Sequence, residues 1–146
     1  RVSEMSALLA QLHPALTDED ADMLFYASPM HDVGKMTVPP EVLNKPGRYT
    51  EEEFCIMKDH TTNGHNLLRY SERRLMKAAA IIAHEHHEKW DGSGYPRQLK
   101  GAEIHIYGRI VSLADVFDAL THNRCYKDAW EIDDASIYSG PSRDPI

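Results

Sequence analysis

The stretch SERRLMKAAAIIAHEHHEKW, residues 71–90, sets Leu75, Ala78, Ala79 and Ile82 at three-to-four spacing and finishes in His84, His86 and His87. Apolar residues at that period make one buried stripe on an α-helix, so residues 71–90 are expected to form a single helix. A loop, DGSGYPRQLKGAE, follows, marked by its glycines and Pro96.

The same period recurs on both sides. SEMSALLAQL places Met5, Leu8, Leu9 and Leu12 on one face, and TDEDADMLFYASPMHD opens with Thr17 and Asp18 as capping residues ahead of Met23, Leu24 and Tyr26. Gly34, Pro39, Pro40, Pro46 and Gly47 then break the pattern. Thr50 and Glu53 have the spacing of a capping box, which starts a helix running through Phe54, Met57, Gly64 and Leu67. Downstream, YGRIVSLADVFDALTH puts Ile110, Leu113, Ala114, Phe117 and Leu120 on one face. Strand-type alternation is essentially missing, and no internal repeat or linker divides the chain, so the expectation is one all-α domain over residues 1–134. The end, SIYSGPSRDPI, is rich in turn formers; residues 135–146 are expected to be an incomplete tail.

Composition narrows the function classes. The 146 residues are 42% hydrophobic and 27% charged, enough for a core. The net charge of −7 argues against a nucleic-acid polymer as partner, since such binding needs a basic face. No long apolar run or signal-peptide core occurs, so a cytoplasmic protein without membrane insertion is expected. Cys55 and Cys125 form no Cys-x-x-Cys pair and are expected to be buried thiols.

An acidic protein that handles an anionic substrate must import positive charge, and nine histidines offer a way to hold metal ions. His31-Asp32, His60, His86-His87 and Asp115 fall on four different expected helices. Four helices each projecting nitrogen or carboxylate ligands inward make a metal site in a bundle core. Adjacent helical residues point about 100° apart, so both members of a pair ligate most easily when the centre is binuclear. Asp32 is the natural bridge, because two ions about 3.5–4 Å apart can share one carboxylate. His13, His65, His105 and His122 are read as surface or hydrogen-bonded residues. His84-Glu85 begins a His-Glu-x-x-His zinc pattern, but Glu88 stands where its second histidine belongs, so the protease reading fails.

HDVGK (31–35), HTTNGHNLL (60–68), HHEKWDGSGYP (86–96) and RIVSLADVFDALTHNRCYK (109–127), in that order, resemble the successive motifs of the HD-GYP family, a subgroup of the HD-domain metal-dependent phosphohydrolases. The resemblance implies a single HD-type helical bundle that binds two or three divalent transition-metal ions, iron or manganese, and hydrolyses cyclic di-GMP to pGpG or GMP. It implies His31, Asp32, His60, His86, His87 and Asp115 as metal ligands, with Asp32 and Lys35 catalytic. Lys35, Gly94, Tyr95, Pro96, Arg124 and Lys127 would meet substrate, the three cations stabilising charge on phosphorus. Glu88 and Asp91 are read as loop-fixing residues, and Asp118 as an orienting group for Lys35 or a ligand histidine.

The family's upstream Glu and His would stand before Arg1, Cys125 replaces its usual proline, and the chain is a few residues shorter than expected after Trp130. Implied partners are diguanylate cyclase domains, an attached receiver or sensor domain, and a second copy in a homodimer. Two alternatives stay open: a catalytically weak cyclic di-GMP-sensing or docking module, and a hydrolase of another cyclic dinucleotide or nucleotide.

Overall fold

In the computed structural model, which describes residues 1–121, every regular element is helical and no strand occurs among the described residues. The order is α1 (Val2–Leu12), α2 (Asp18–Ala27), two 3-10 turns (Ser28–Met30 and Val33–Thr37), α3 (Pro40–Leu43), α4 (Glu51–Leu68), α5 (Arg74–Glu85), a 3-10 turn (Gly101–Glu103) and α6 (Ile106–Thr121). The expected all-α class holds. Among the described residues no helix is long and apolar enough to cross a membrane.

Two helix starts follow from local chemistry. The Thr17 hydroxyl accepts from the Asp20 amide at 3.3 Å while the Asp20 carboxylate accepts from the Thr17 amide at 2.9 Å. Thr50 and Glu53 repeat the exchange at 3.2 and 2.7 Å. Each box satisfies amides that the first turn leaves without a helical partner.

Alanines decide the packing. Ala78, Ala79 and Ile82 of α5 share one core with Ala10 of α1, Ala21, Leu24 and Ala27 of α2, and Ile110 and Val111 of α6. Small side chains at these contacts let the helix axes approach closely, which suits a short chain that must bring several helices around one point. A smaller cluster, Val38, Val42 and Met57, seats α3 on α4.

Four expectations are corrected. On α1 the buried residues are Ser6 and Ala10, whereas Leu8 and Leu12 of the expected apolar face are exposed. The helix expected over 71–90 ends at Glu85, with His86 as its cap and His87 in the turn beyond. The carboxylates of Glu85 and Glu88 are committed to the following loop, as described below, and that loop folds back where the helix would continue. On α6 the buried residues are Gly108, Ile110, Val111 and Ala114, whereas Leu113 is 41% exposed. The inward stripe is therefore rotated from the one that apolarity alone suggests. Cys55 is exposed rather than buried, because the inner stripe of α4 is Met57, His60, Thr61 and Gly64, and a residue two positions before Met57 points about 200° away. Cys125 lies outside the described residues.

One close approach positions the site. A Cβ on Gly34 would stand 1.9 Å from the His60 carbonyl oxygen and 2.6 Å from the Gly64 amide nitrogen. Only a residue without a side chain lets the Val33–Thr37 turn lie directly on the α4 backbone. That contact brings Asp32 within reach of His60.

Candidate metal centre

His31 and Asp32 sit between the two 3-10 turns, His60 in the middle of α4, His86 and His87 at the end of α5, and Asp115 on α6. The fold brings them together. Ligand atoms of Asp32, His60, His86 and His87 all lie within 4.8 Å of one another. His60 and His86 are 1% and 2% exposed.

The imidazoles are oriented by the backbone. Nδ1 of His31 lies 2.7 Å from the Ser28 carbonyl, Nδ1 of His60 2.6 Å from that of Met57, and Nδ1 of His86 3.1 Å from those of Ile82 and Ala83. A carbonyl only accepts, so each Nδ1 carries a proton, and on the rings of His60 and His86 Nε2 presents a lone pair. His60 Nε2 and His86 Nε2 face each other at 3.4 Å. Two lone pairs aimed at one point call for a cation between them, and this donor set fits a transition metal.

Asp32 joins two halves. Its Oδ1 lies 3.5 Å from His60 Nε2 and 3.8 Å from His86 Nε2, while Oδ2 lies 3.4 Å from His31 Nε2. His31 Nε2 in turn lies 3.7 Å from Asp115 Oδ1. One oxygen of Asp32 therefore faces the His60–His86 group and the other faces the His31–Asp115 group, the disposition of a bridging carboxylate. Lys35 Nζ donates to Oδ2 at 2.7 Å from a partly exposed position at the edge of the cluster.

Protonation follows the geometry. Burial pushes the His60 imidazole below its ordinary range; burial and neighbouring His87 push His86 well below; burial and His60 push His87 down to about 3. These rings are neutral and their lone pairs free. Burial alone would raise the Asp32 carboxyl, but His31 and Lys35 hold it well below the usual carboxylate range. His31 moves the other way: against the burial that would lower it, hydrogen bonding and attraction to Asp32 raise it.

The glycine-rich loop closes one side. Tyr95 stacks on His87 with ring centroids 4.8 Å apart and 27° between planes. Burial and the charges of Asp32 and Asp115 push its hydroxyl well above the ordinary tyrosine range; it stays a neutral donor. Gly94 permits the closure, since a Cβ there would stand 2.3 Å from the Lys89 amide nitrogen.

Two buried glutamates tie this loop down. Glu88 accepts from the Arg97 and Leu99 amides at 2.7 and 2.9 Å. Glu85 accepts from the His105 amide at 2.6 Å and from the Arg97 guanidinium. Asp91 makes its own turn, accepting from the Ser93 amide at 2.9 Å and hydroxyl at 2.7 Å. The loop-fixing expectation for Glu88 and Asp91 agrees with these bonds. Sequence reasoning missed Glu85, whose place in a run of charged residues reads as a solvated face. Asp118 is held by Arg1 Nε at 3.0 Å, a tie between α1 and α6.

A consequence for Glu88 is testable. In Glu88→Gln one of the two loop amides loses its carboxylate oxygen and meets an amino group instead, a buried mismatch costing about 1–3 kcal/mol. The expected result is a loop that opens more readily, read as faster hydrogen exchange at Arg97 and Leu99, with metal content retained.

The other described histidines stay out of the cluster. His65 stacks on His84 at 4.3 Å, His13 Nδ1 accepts from the Ala15 amide, and His105 Nδ1 accepts from that of Tyr107. Arg124, Lys127 and His122 lie outside the described residues.

A family model described as HD domain matches residues 1–137. The chain belongs to the HD domain family. The HD-GYP assignment made from the motifs stands, and HD-domain membership implies a bound divalent metal, for which the cluster supplies donors. Among curated relatives, the chain is 51% identical over 130 residues to a 3'3'-cGAMP-specific phosphodiesterase of Vibrio cholerae, covering 89% of this chain and 25% of that protein. It is 45% identical over 138 residues to a cyclic di-GMP phosphodiesterase response regulator of Xanthomonas campestris, covering 94% and 36%. It is 50% identical over 110 residues to a cyclic di-GMP phosphodiesterase of Thermotoga maritima, covering 75% and 30%. The chain thus spans between a quarter and about a third of the length of these relatives.

Proposed function

We propose that this domain is a metal-dependent phosphodiesterase that hydrolyses cyclic di-GMP to pGpG or on to GMP. The observation that carries the reading is the shared carboxylate: Asp32 turns one oxygen to His60 and His86 and the other to His31. In this reading His31, Asp32, His60, His86, His87 and Asp115 hold two or three iron or manganese ions. When bound, the ions supply Lewis acidity toward phosphate oxygens and an acidified water as nucleophile.

The chain's own residues do the rest. The carbonyls behind His60 and His86 fix their tautomers, so no proton has to leave Nε2 of either ring before a ligand is engaged, and the Ser28 carbonyl orients His31. Lys35, at the cluster's edge and bonded to Asp32 Oδ2, is placed to donate to a substrate phosphate oxygen and to stabilise the charge developing there. Tyr95, neutral and stacked on His87, donates from its hydroxyl and covers the metal-facing rings. Gly94 and Pro96 shape the loop that carries it. Arg124 and Lys127 complete the phosphate-binding cations in this proposal.

A second reading keeps the chemistry and changes the base: the relative at 51% identity is named for 3'3'-cGAMP, so a mixed cyclic dinucleotide is the competing substrate. The name of the response-regulator relative supports a parent protein with an attached receiver domain.

The test is chromatographic turnover by the full-length protein reconstituted with manganese or iron, alongside metal analysis. About two ions per chain and conversion of cyclic di-GMP to pGpG or GMP are expected. Less than one ion per chain with no turnover points to a sensing or docking module.

A further inference from the structure

Phe54 lies on the first turn of α4, in a sequence position that reads as core, yet it is 45% exposed. Its surroundings set it apart from other exposed aromatics. Its ring meets Tyr95 edge to face, with centroids 6.1 Å apart and planes at 82°, and Tyr95 is the ring stacked on His87. Two ring-to-ring steps therefore lead from the metal-facing imidazole to an open phenyl face. The Lys58 ammonium lies 5.1 Å from the centroid of that phenyl ring. Tyr26 and Tyr70 are more exposed, but their ring contacts among the described residues are with Phe25 and Arg69.

A phosphodiester held over the cluster carries its base outward through a ribose, and an aromatic face is what a base stacks on. The direction of base specificity comes from Lys58. Guanine offers two acceptors, O6 and N7, on one edge, whereas adenine replaces O6 with an amino donor. A lysine has donors only, on a flexible stem that can swing from the ring face to the edge of an entering base. We propose that Phe54 and Lys58 form a guanine-binding subsite beside the metal centre, Phe54 stacking the base and Lys58 donating to its O6 and N7. This rests on the phosphodiesterase reading above and adds to it the residues that choose the base.

The experiment uses the full-length, manganese-loaded protein and three diesters: cyclic di-GMP, cyclic di-AMP and bis(p-nitrophenyl) phosphate, which has no base. Phe54→Ala is expected to raise KM for cyclic di-GMP roughly tenfold more than any change on bis(p-nitrophenyl) phosphate. Phe54→Trp, which keeps a stacking face, restores KM. Lys58→Met raises KM for cyclic di-GMP more than for cyclic di-AMP, narrowing the preference between them. Calorimetric titration with GMP shows the same order of weakening without depending on turnover. Equal losses on the based and baseless diesters, or wild-type KM in Phe54→Ala, overturn the subsite while leaving the phosphodiesterase reading intact. A wild-type protein that cleaves bis(p-nitrophenyl) phosphate but neither cleaves cyclic di-GMP nor binds GMP overturns both.

Discussion

Asp32→Ala is expected to lower turnover by at least about a thousandfold, since metal assistance contributes several kcal/mol of transition-state stabilisation and each 1.36 kcal/mol is a factor of ten. Helical content should be retained. Among the described residues Asp32 is the carboxylate that faces both halves of the cluster, with oxygens 3.5 Å from His60 and 3.4 Å from His31. In the proposed centre its removal would cost each half a ligand while leaving the 3-10 turn standing, because that turn is closed by the Lys35 amide on the Asp32 backbone carbonyl at 2.9 Å. Metal analysis should fall from about two ions per chain toward one or none, with an unchanged far-UV circular dichroism spectrum. A variant that keeps its full metal complement and its turnover would show that Asp32 shares nothing between the two halves.

Gly34→Ala is the second large effect, and it acts by a different route. The new methyl would lie 1.9 Å from the His60 carbonyl oxygen, far inside contact distance, and its neighbours are backbone atoms that cannot rotate aside. The turn and α4 must separate. Overpacking of this kind costs about 3 kcal/mol or more, at the severe end of single substitutions. Thermal unfolding should drop by roughly 10 °C. Metal binding should weaken as well, because the same separation pulls Asp32 away from His60, and a shift of about 1 Å at a catalytic group can cost a hundredfold. Unfolding at the wild-type temperature with full metal content would mean that the turn does not rest on α4 in solution.

The two variants separate chemistry from architecture. Asp32→Ala leaves a folded protein without its bridge, and Gly34→Ala weakens both together. In each, cyclic di-GMP turnover and metal content are expected to fall in parallel, since in the proposed mechanism no residue of the chain replaces the ions as activator of the nucleophile.

Much of the fold was legible because helices are specified locally. The three-to-four spacing of Leu75, Ala78, Ala79 and Ile82 and the boxes at Thr17 and Thr50 involve residues within a turn or two of one another, so composition and spacing suffice to read them. The end of α5 was not legible. Glu85 and Glu88 bond amides at Arg97, Leu99 and His105, 9 to 20 residues further along, and no local signal distinguishes a buried carboxylate from a solvated one. The rotation of α6 was misread for a related reason. Leu113 is more apolar than Gly108, but closeness to α5 favours the smaller residue.

For the site, residue types and motif order alone marked His31, Asp32, His60, His86, His87 and Asp115, because metal chemistry restricts ligands to a few side chains and the pairs His31-Asp32 and His86-His87 are conspicuous in the chain. Only the tertiary structure decided how they meet: which nitrogen of His31, His60 and His86 faces inward, which oxygen of Asp32 faces which half, and that Phe54 stands open beside Tyr95. Those outcomes depend on backbone carbonyls and on a glycine contact between segments far apart in sequence, and distance in space is the quantity a linear pattern does not carry.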